Sequence, residues 1–181
     1  MERLPTELDG LVRLAPAVHR DERGFFTETF RAEEWTAHGI EVSLVQDNHS
    51  RSRRGTLRGM HFQTRPGQAK LVRCARGAVL DVVVDIRRSS STFGRWEAYR
   101  LDDEQMQQLF VPVGFAHGFC VLSEEADVLY RCSSYYDPAT ERGFAYDDPD
   151  VGVDWPQDLE LTVSPRDRAA PALRELEDEL P

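Results

Sequence analysis

Apolar and polar residues alternate along most of the chain in short runs, broken about every ten residues by Gly, Ser, Asp or Pro. Side chains repeating on a period of two belong to sheets whose two faces differ. The pattern predicts strands at Leu11–Val18, Phe25–Phe30, Val42–His49, Thr56–Gln63, Lys70–Ala75, Val79–Ile86, Trp96–Leu101, Gln108–Val111, His117–Leu122 and Val128–Ser133, with a further one at Gly143–Tyr146. A short helix fits Ala32–His38 with Gly39 as its stop, and a second starts near Ser164 and is broken by Pro171. Many short strands with helices only at the margins predict a mostly β fold, an antiparallel jelly-roll (cupin-like) sandwich or barrel with short peripheral helices.

Polar groups stand where this pattern calls for a core. Val79–Ile86 is apolar on both faces apart from Asp81 and Asp85, which share a face with Val79 and Val83. An unpaired buried carboxylate is very costly, so each needs a partner. Asp85 reads as half of a structural Asp–Arg pair, whereas Asp81 reads as functional because a histidine-bearing strand lies downstream. In Thr56–Gln63, His61 and Gln63 share parity, and Arg58 falls on the other face unless a bulge forms at Gly59. Taken singly, His61, His117 and Tyr130 would each be satisfied core residues. His61 is set apart by its company of Arg58, Gln63 and, one short loop later, Lys70.

Length and composition narrow the picture. The 181 residues suit one domain spanning 1–181, and 40% hydrophobic residues suffice for a real core. A net charge of −10 argues against nucleic acid or an anionic membrane as partner. No apolar run reaches the length of a membrane span. Met1–Gly10 carries charges and a proline where a signal peptide would need an apolar stretch. Cys74, Cys120 and Cys132 are scattered and odd in number, as expected of reduced, core-packing thiols in a cytoplasmic protein. Of the 22 cationic residues, only Lys70 is lysine. Either composition drifted and spared one position, or Lys70 sits where a compact ammonium works and a planar guanidinium does not. A metal site is not expected: Phe62-Gln63 follows His61 where a cupin would place a second histidine, and Lys70 stands where an anionic ligand is wanted.

Taken together, a set of motifs resembles the dTDP-4-dehydrorhamnose 3,5-epimerase family. They are Asp21-Glu22-Arg23-Gly24-Phe25-Phe26-Thr27-Glu28, Gln46-Asp47-Asn48-His49-Ser50, Leu57-Arg58-Gly59-Met60-His61-Phe62-Gln63, Gln68-Ala69-Lys70, Asp81 to Arg87 and Ser91-Thr92-Phe93-Gly94. Gly114-Phe115-Ala116-His117-Gly118-Phe119, Leu129-Tyr130, Tyr135-Tyr136-Asp137-Pro138 and Ser164-Pro165-Arg166-Asp167 complete the series, in order over nearly the whole chain. The resemblance implies a cofactor-free jelly-roll epimerase acting on a dTDP-4-keto-6-deoxyhexose, inverting C3 and C5. Such chemistry needs a base, an acid on the opposite side, and a group that stabilises the enolate oxygen. By analogy His61 is the base, Asp167 orients it, Lys70 takes up charge at the C4 oxygen, and Tyr130 returns the proton. Local sequence supports another role for Asp167, since Ser164-Pro165-Arg166-Asp167 also reads as a capped helix start.

The implied substrate-binding residues are Arg23, Phe26, Glu28, Gln46, Asn48, Arg58, His117, Tyr136, Glu141 and Arg166. The family also implies a homodimer with exchanged amino-terminal strands, so that Arg23, Phe26 and Glu28 partly serve the partner. Arg23, Arg58 and Arg166 are expected to clamp the diphosphate, whereas Arg51, Arg53 and Arg54 read as a solvated run. The chain departs from the family at Met60, commonly Leu, and at Phe144-Ala145-Tyr146, where Ile-x-Trp is frequent and the sugar site is expected nearby. Rival readings are a 3-epimerase, a 3,4-ketoisomerase marked by paired histidines without the Lys70–Tyr130 combination, and a non-catalytic sugar-nucleotide-binding module.

Overall fold

The computed structural model describes residues 1–180. Its strands are β1 (Glu2–Leu4), β2 (Val12–Ala15), β3 (Val18–Asp21), β4 (Gly24–Thr27), β5 (Gln46–Arg53), β6 (Thr56–Gln63) and β7 (Lys70–Arg76). They continue with β8 (Ala78–Asp85), β9 (Trp96–Asp102), β10 (Gln108–Val111), β11 (Phe115–Val121), β12 (Glu125–Cys132), β13 (Glu141–Gly143) and β14 (Thr162–Val163). Helices α1 (Ala32–Ala37) and α2 (Pro165–Arg168) and a 3-10 helix at Leu173–Glu179 lie at the margins.

One sheet has the order β1-β2-β10-β7-β12-β5 and the other β13-β6-β11-β8-β9, with β14 added parallel to β6. The remaining pairings are antiparallel. Period-two alternation decides which side chains meet. Val72, Val79, Val83, Leu109, Phe119 and Val128 fill the space between the sheets. Val82, Val84 and Cys120 point the other way, into a second cluster roofed by Trp155, Leu173 and Leu176. A third cluster packs Leu14, Leu71 and Phe110 beneath Trp35 of α1. Both faces of β8 are therefore buried, which explains its nearly unbroken apolar sequence. The mostly β jelly-roll expectation agrees with this architecture.

Several boundaries differ from those the pattern predicts. Pro16 divides Leu11–Val18, and the part beyond it pairs with Gly24–Thr27 as a separate hairpin, β3-β4. The run at Val42 forms strand only from Gln46, leaving Val42 and Val45 exposed, and β5 instead continues to Arg53. Eight residue pairs between β5 and β12 bring the backbone of Arg51 and Arg53 into the sheet; their side chains and that of Arg54 stay exposed, and Arg51 forms a two-pronged pair with Asp127 (2.7 Å for each bond). The last predicted strand occupies Glu141–Gly143 rather than Gly143–Tyr146. At the carboxy end the chain breaks at Pro171 and resumes helical winding, as its proline implied.

Candidate active site

Strand β6 would send Arg58 and His61 to opposite faces if it were regular. Its pairing with β11 slips between His117 and Phe119, so that His117 lies opposite His61 while Phe119 lies opposite Arg58. Gly59 absorbs the extra residue at φ +135°, and a Cβ there would fall 2.5 Å from Gly118 Cα. Arg58 and His61 consequently line one cavity of about 580 Å³, shared with Lys70, His117, Tyr130, Glu141, Arg166 and Asp167.

Asp167 makes the contacts that both readings call for. Its backbone N–H donates to Ser164 Oγ (3.0 Å), capping α2, while its carboxylate Oδ1 lies 2.7 Å from His61 Nε2. The Gly59 N–H approaches Oδ2 at 3.5 Å. Burial alone would raise the Asp167 pKa, but the hydrogen bond and charge of His61, with the Gly59 and Ser164 contacts, hold it below the usual carboxylate range. An ionised Asp167 accepts from Nε2–H, which leaves Nδ1 as the ring's basic nitrogen.

Lys70 and Tyr130 come from the other sheet, on the adjacent strands β7 and β12. Burial lowers the Lys70 pKa against the opposing pull of Cys132, Glu141 and Asp81. Burial raises that of Tyr130, helped by Cys132 and opposed by Arg58, so the phenol keeps its proton at neutral pH. His61 thus faces Lys70 and Tyr130 across the width of the sandwich.

A second His–Asp pair lies beside the first. His117 Nε2 is 2.9 Å from Asp81 Oδ2, both residues being buried, and Asp81 Oδ1 has no partner. The downstream histidine-bearing strand, which set Asp81 apart from Asp85, is the one that supplies its partner. A pair of histidines is thus present, but together with Lys70 and Tyr130, so histidine count alone does not mark a ketoisomerase here. Asp85 is the structural pair expected, bonded by Arg87, Ser90 and Thr92.

An adjoining cavity of about 280 Å³ shares His61, Lys70, Tyr130 and Glu141, and adds Gln46, Asn48 and Tyr136. Tyr136 OH donates to Glu141 Oε2 (3.0 Å), and Arg166 Nη1 donates to the same oxygen (2.6 Å). Arg58 Nε donates to Ser52 Oγ (3.1 Å), a supporting contact that no sequence motif indicated. Arg23, Phe26 and Glu28 are not brought to either cavity. They sit on or just beyond the exposed β3-β4 hairpin, Arg23 beside Asp21 and Glu28 beside Arg31. The expectation that Phe144-Ala145-Tyr146 borders the sugar site is corrected: Phe144 is buried behind β6 in the second cluster, with Met60 and Trp155, and Tyr146 packs against the same cluster. Cys74, Cys120 and Cys132 are buried and free, and burial pushes the first two thiols up to about 12 and about 11. Among the described residues, no group of three or more His, Cys, Asp or Glu side chains could hold a metal ion, and no helix is long and apolar enough to cross a membrane.

Comparison with known proteins accords with this geometry. A family model described as dTDP-4-dehydrorhamnose 3,5-epimerase matches residues 5–175. An enzyme of that name from Methanothermobacter thermautotrophicus is 48% identical over 174 residues, covering 95% of this chain and 94% of its own. A dTDP-6-deoxy-D-glucose-3,5-epimerase from Legionella pneumophila, solved in complex with dTDP-4-keto-L-rhamnose, superposes with a TM-score of 0.97 at 44% identity, covering 99% of this chain and 97% of that one. A Streptomyces niveus protein named dTDP-4-dehydrorhamnose 3-epimerase is 43% identical over 180 residues, covering 98% of this chain and 86% of its own. With its motifs in order, its jelly roll and a family match over nearly its whole length, the chain belongs to the dTDP-4-dehydrorhamnose 3,5-epimerase family.

Proposed function

We propose that this protein is an isomerase that epimerises dTDP-4-keto-6-deoxy-D-glucose at C3 and C5, giving dTDP-4-keto-L-rhamnose. The observation that carries the reading is the placement of an imidazole on one sheet and a phenol and an amine on the other, around one cavity. In this scheme His61 Nδ1 takes the proton α to the C4 ketone, and the C–H electrons pass into the enolate, whose oxygen becomes negative. The imidazolium is balanced by Asp167, and the oxyanion by the Lys70 ammonium. Tyr130 then donates its proton to the same carbon from the other side, so the centre is inverted; solvent takes the proton from His61 and reprotonates Tyr130 before the second centre reacts. No step calls on a cofactor.

Arg58 and Arg166 are the cations available to the diphosphate inside a protein of charge −10. His117 and Asn48 present polar groups to the sugar end, and Glu141 sets Arg166. The chain works as one domain and as a homodimer in the cytoplasm, the hairpin with Arg23, Phe26 and Glu28 reaching the nucleotide in a second copy. Its exposure supports that role, Phe26 being 71% accessible.

The test is incubation with dTDP-4-keto-6-deoxyglucose in heavy water, with the label mapped by NMR. Deuterium at both C3 and C5 is the expected result. Label at C3 alone would place the chain with the 3-epimerase relative, and no exchange would defeat the enolate route. His61→Ala and Tyr130→Phe should each lower turnover by about 10² to 10⁴; if both retain normal rates, the assignment of base and acid is wrong, as it would be for a module that only binds.

A further inference from the structure

Lys70 and Tyr130 stand on neighbouring strands, so their spacing depends on how the ladder between β7 and β12 is held at its end. Cys132 lies opposite Lys70, which makes Tyr130 the diagonal neighbour of Lys70 on the same face. One step further the pairing changes character. The Ser133 N–H donates to the Ala69 carbonyl (3.0 Å), as in a continued strand, but the return bond is made by a side chain: the Ala69 N–H donates to Ser133 Oγ (2.8 Å). A hydroxyl thus takes the place of a backbone acceptor, and the chain leaves the sheet after Cys132 while the register is kept. Two more bonds tie the same ends together. Gln68 Nε2 donates to the Ser134 carbonyl (2.9 Å), and Ser134 Oγ donates to the Gly67 carbonyl (3.3 Å). Ala69 is only 2% exposed, so without Ser133 Oγ its N–H would be left buried and unpaired. Among the described residues none hydrogen-bonds the Lys70 ammonium, on which Glu141 and Asp81 act only at longer range, and its place follows from its backbone.

We propose that Ser133 is a positioning residue: by completing the ladder at Ala69, its hydroxyl fixes the start of β7 and with it the station of the Lys70 ammonium beside Tyr130. Ser133 lines neither cavity, so it acts through Lys70 rather than on the ligand. Small displacements matter there, because a cation stabilises a developing oxyanion only when it is already aimed at that oxygen. The proposal rests on the reading of Lys70 as the group that takes up charge at the C4 oxygen.

The test compares full-length wild type with Ser133→Ala, Ser133→Thr, Lys70→Ala and the Ser133→Ala/Lys70→Ala double variant. Ser133→Ala should lower kcat about tenfold, the worth of one hydrogen bond, while its affinity for dTDP, which carries no keto sugar, stays within about twofold. Hydrogen exchange at the Ala69 amide should quicken about tenfold in the same variant, because its acceptor is gone. Ser133→Thr keeps the hydroxyl and should return both readouts to within about threefold of wild type. In the Lys70→Ala background, with deuterium uptake reading the residual rate, Ser133→Ala should cost no more than about a further twofold. A Ser133→Ala kcat within about threefold of wild type would overturn the proposal, as would a dTDP affinity that falls as far as kcat. So would a threonine variant no better than alanine, or losses that multiply in the double variant. Normal turnover in Lys70→Ala would instead overturn the reading of the enolate site, and the proposal with it.

Discussion

Replacing Asp167 by Asn separates the two roles that its position combines. The cap on α2 is made by the backbone N–H to Ser164 Oγ at 3.0 Å, and the substitution leaves it intact. What changes is the side chain 2.7 Å from His61 Nε2, in a residue only 6% exposed. Charge centres of an imidazolium and a carboxylate in such contact lie about 4 Å apart, worth about 4 kcal/mol at an effective dielectric of about 20. The amide has a second effect. The Gly59 N–H lies by the far oxygen and favours the carbonyl there, which turns the Asn NH₂ toward His61. The ring must then accept at Nε2 and carry its proton on Nδ1, the tautomer that cannot act as base. A loss of about 2 to 4 kcal/mol in the transition state corresponds to about 30- to 1,000-fold in kcat. Folding should scarcely register the change: a lost negative charge at a helix start is worth about 0.3 to 1 kcal/mol, and the midpoint of a chain this size moves about 2 to 4 °C per kcal/mol. Ser164→Ala should do the reverse, lowering stability by about 1 kcal/mol with a small effect on turnover. Initial rates of deuterium uptake and thermal melting of both variants suffice. An Asp167→Asn enzyme with kcat within about threefold of wild type would refute the reasoning and leave Asp167 a capping residue alone.

Lys70→Arg keeps the charge yet should lower kcat by about 10² or more, the weight of one oxyanion donor, because a planar fork replaces a point charge facing one oxygen; near-normal turnover would remove the enolate role. Burial lowers the Lys70 pKa, so wild-type activity should fall on the alkaline side before an ordinary lysine would titrate, and a pH–rate profile reads this directly. Asp85 resists the upward push of burial through its bonds from Arg87, Ser90 and Thr92, and its pKa falls from 3.8 to about 2. A depressed folded-state pKa contributes stability that is present above about pH 4 and lost as pH falls toward about 2. That contribution is about 2 kcal/mol, so Asp85→Asn should melt about 4 to 8 °C lower at neutral pH, with the difference shrinking in acid.

Much of this site could be read from parity and composition. The conditional placement of Arg58 beside His61 needed only a bulge at Gly59, and the twofold-buried β8 announced that Asp81 and Asp85 must have partners. Other features depend on contacts distant in sequence. Val42 and Val45 are as strand-prone as their neighbours, but β12 supplies a partner only from Gln46 onward, so the apolar residues stay outside and the arginines enter. The pattern carries the first strand across Pro16, since a single proline is weak punctuation, and leaves the polar His19-Arg20-Asp21 unassigned, although these residues form most of β3 opposite β4. The place of Phe144 is not legible from sequence because β13 is short and the chain beyond it turns behind β6. Lys70 follows His61 by one short loop, but no local signal joins Tyr130 to either; only the family motifs bring the phenol into the set.

Because the proposed proton acceptor and donor ride on separate layers, the room between them depends on how far apart the two sheets stack, about 10 Å from backbone to backbone. Val72, Val83 and Leu109 line neither cavity, yet they are among the spacers that hold this gap open. Shaving or enlarging one of them should shift the two proposed groups relative to each other, and so relative to a ring held between them. On the proposed roles, the packing of this interior is thereby a calliper for stereochemistry as well as a support for the fold.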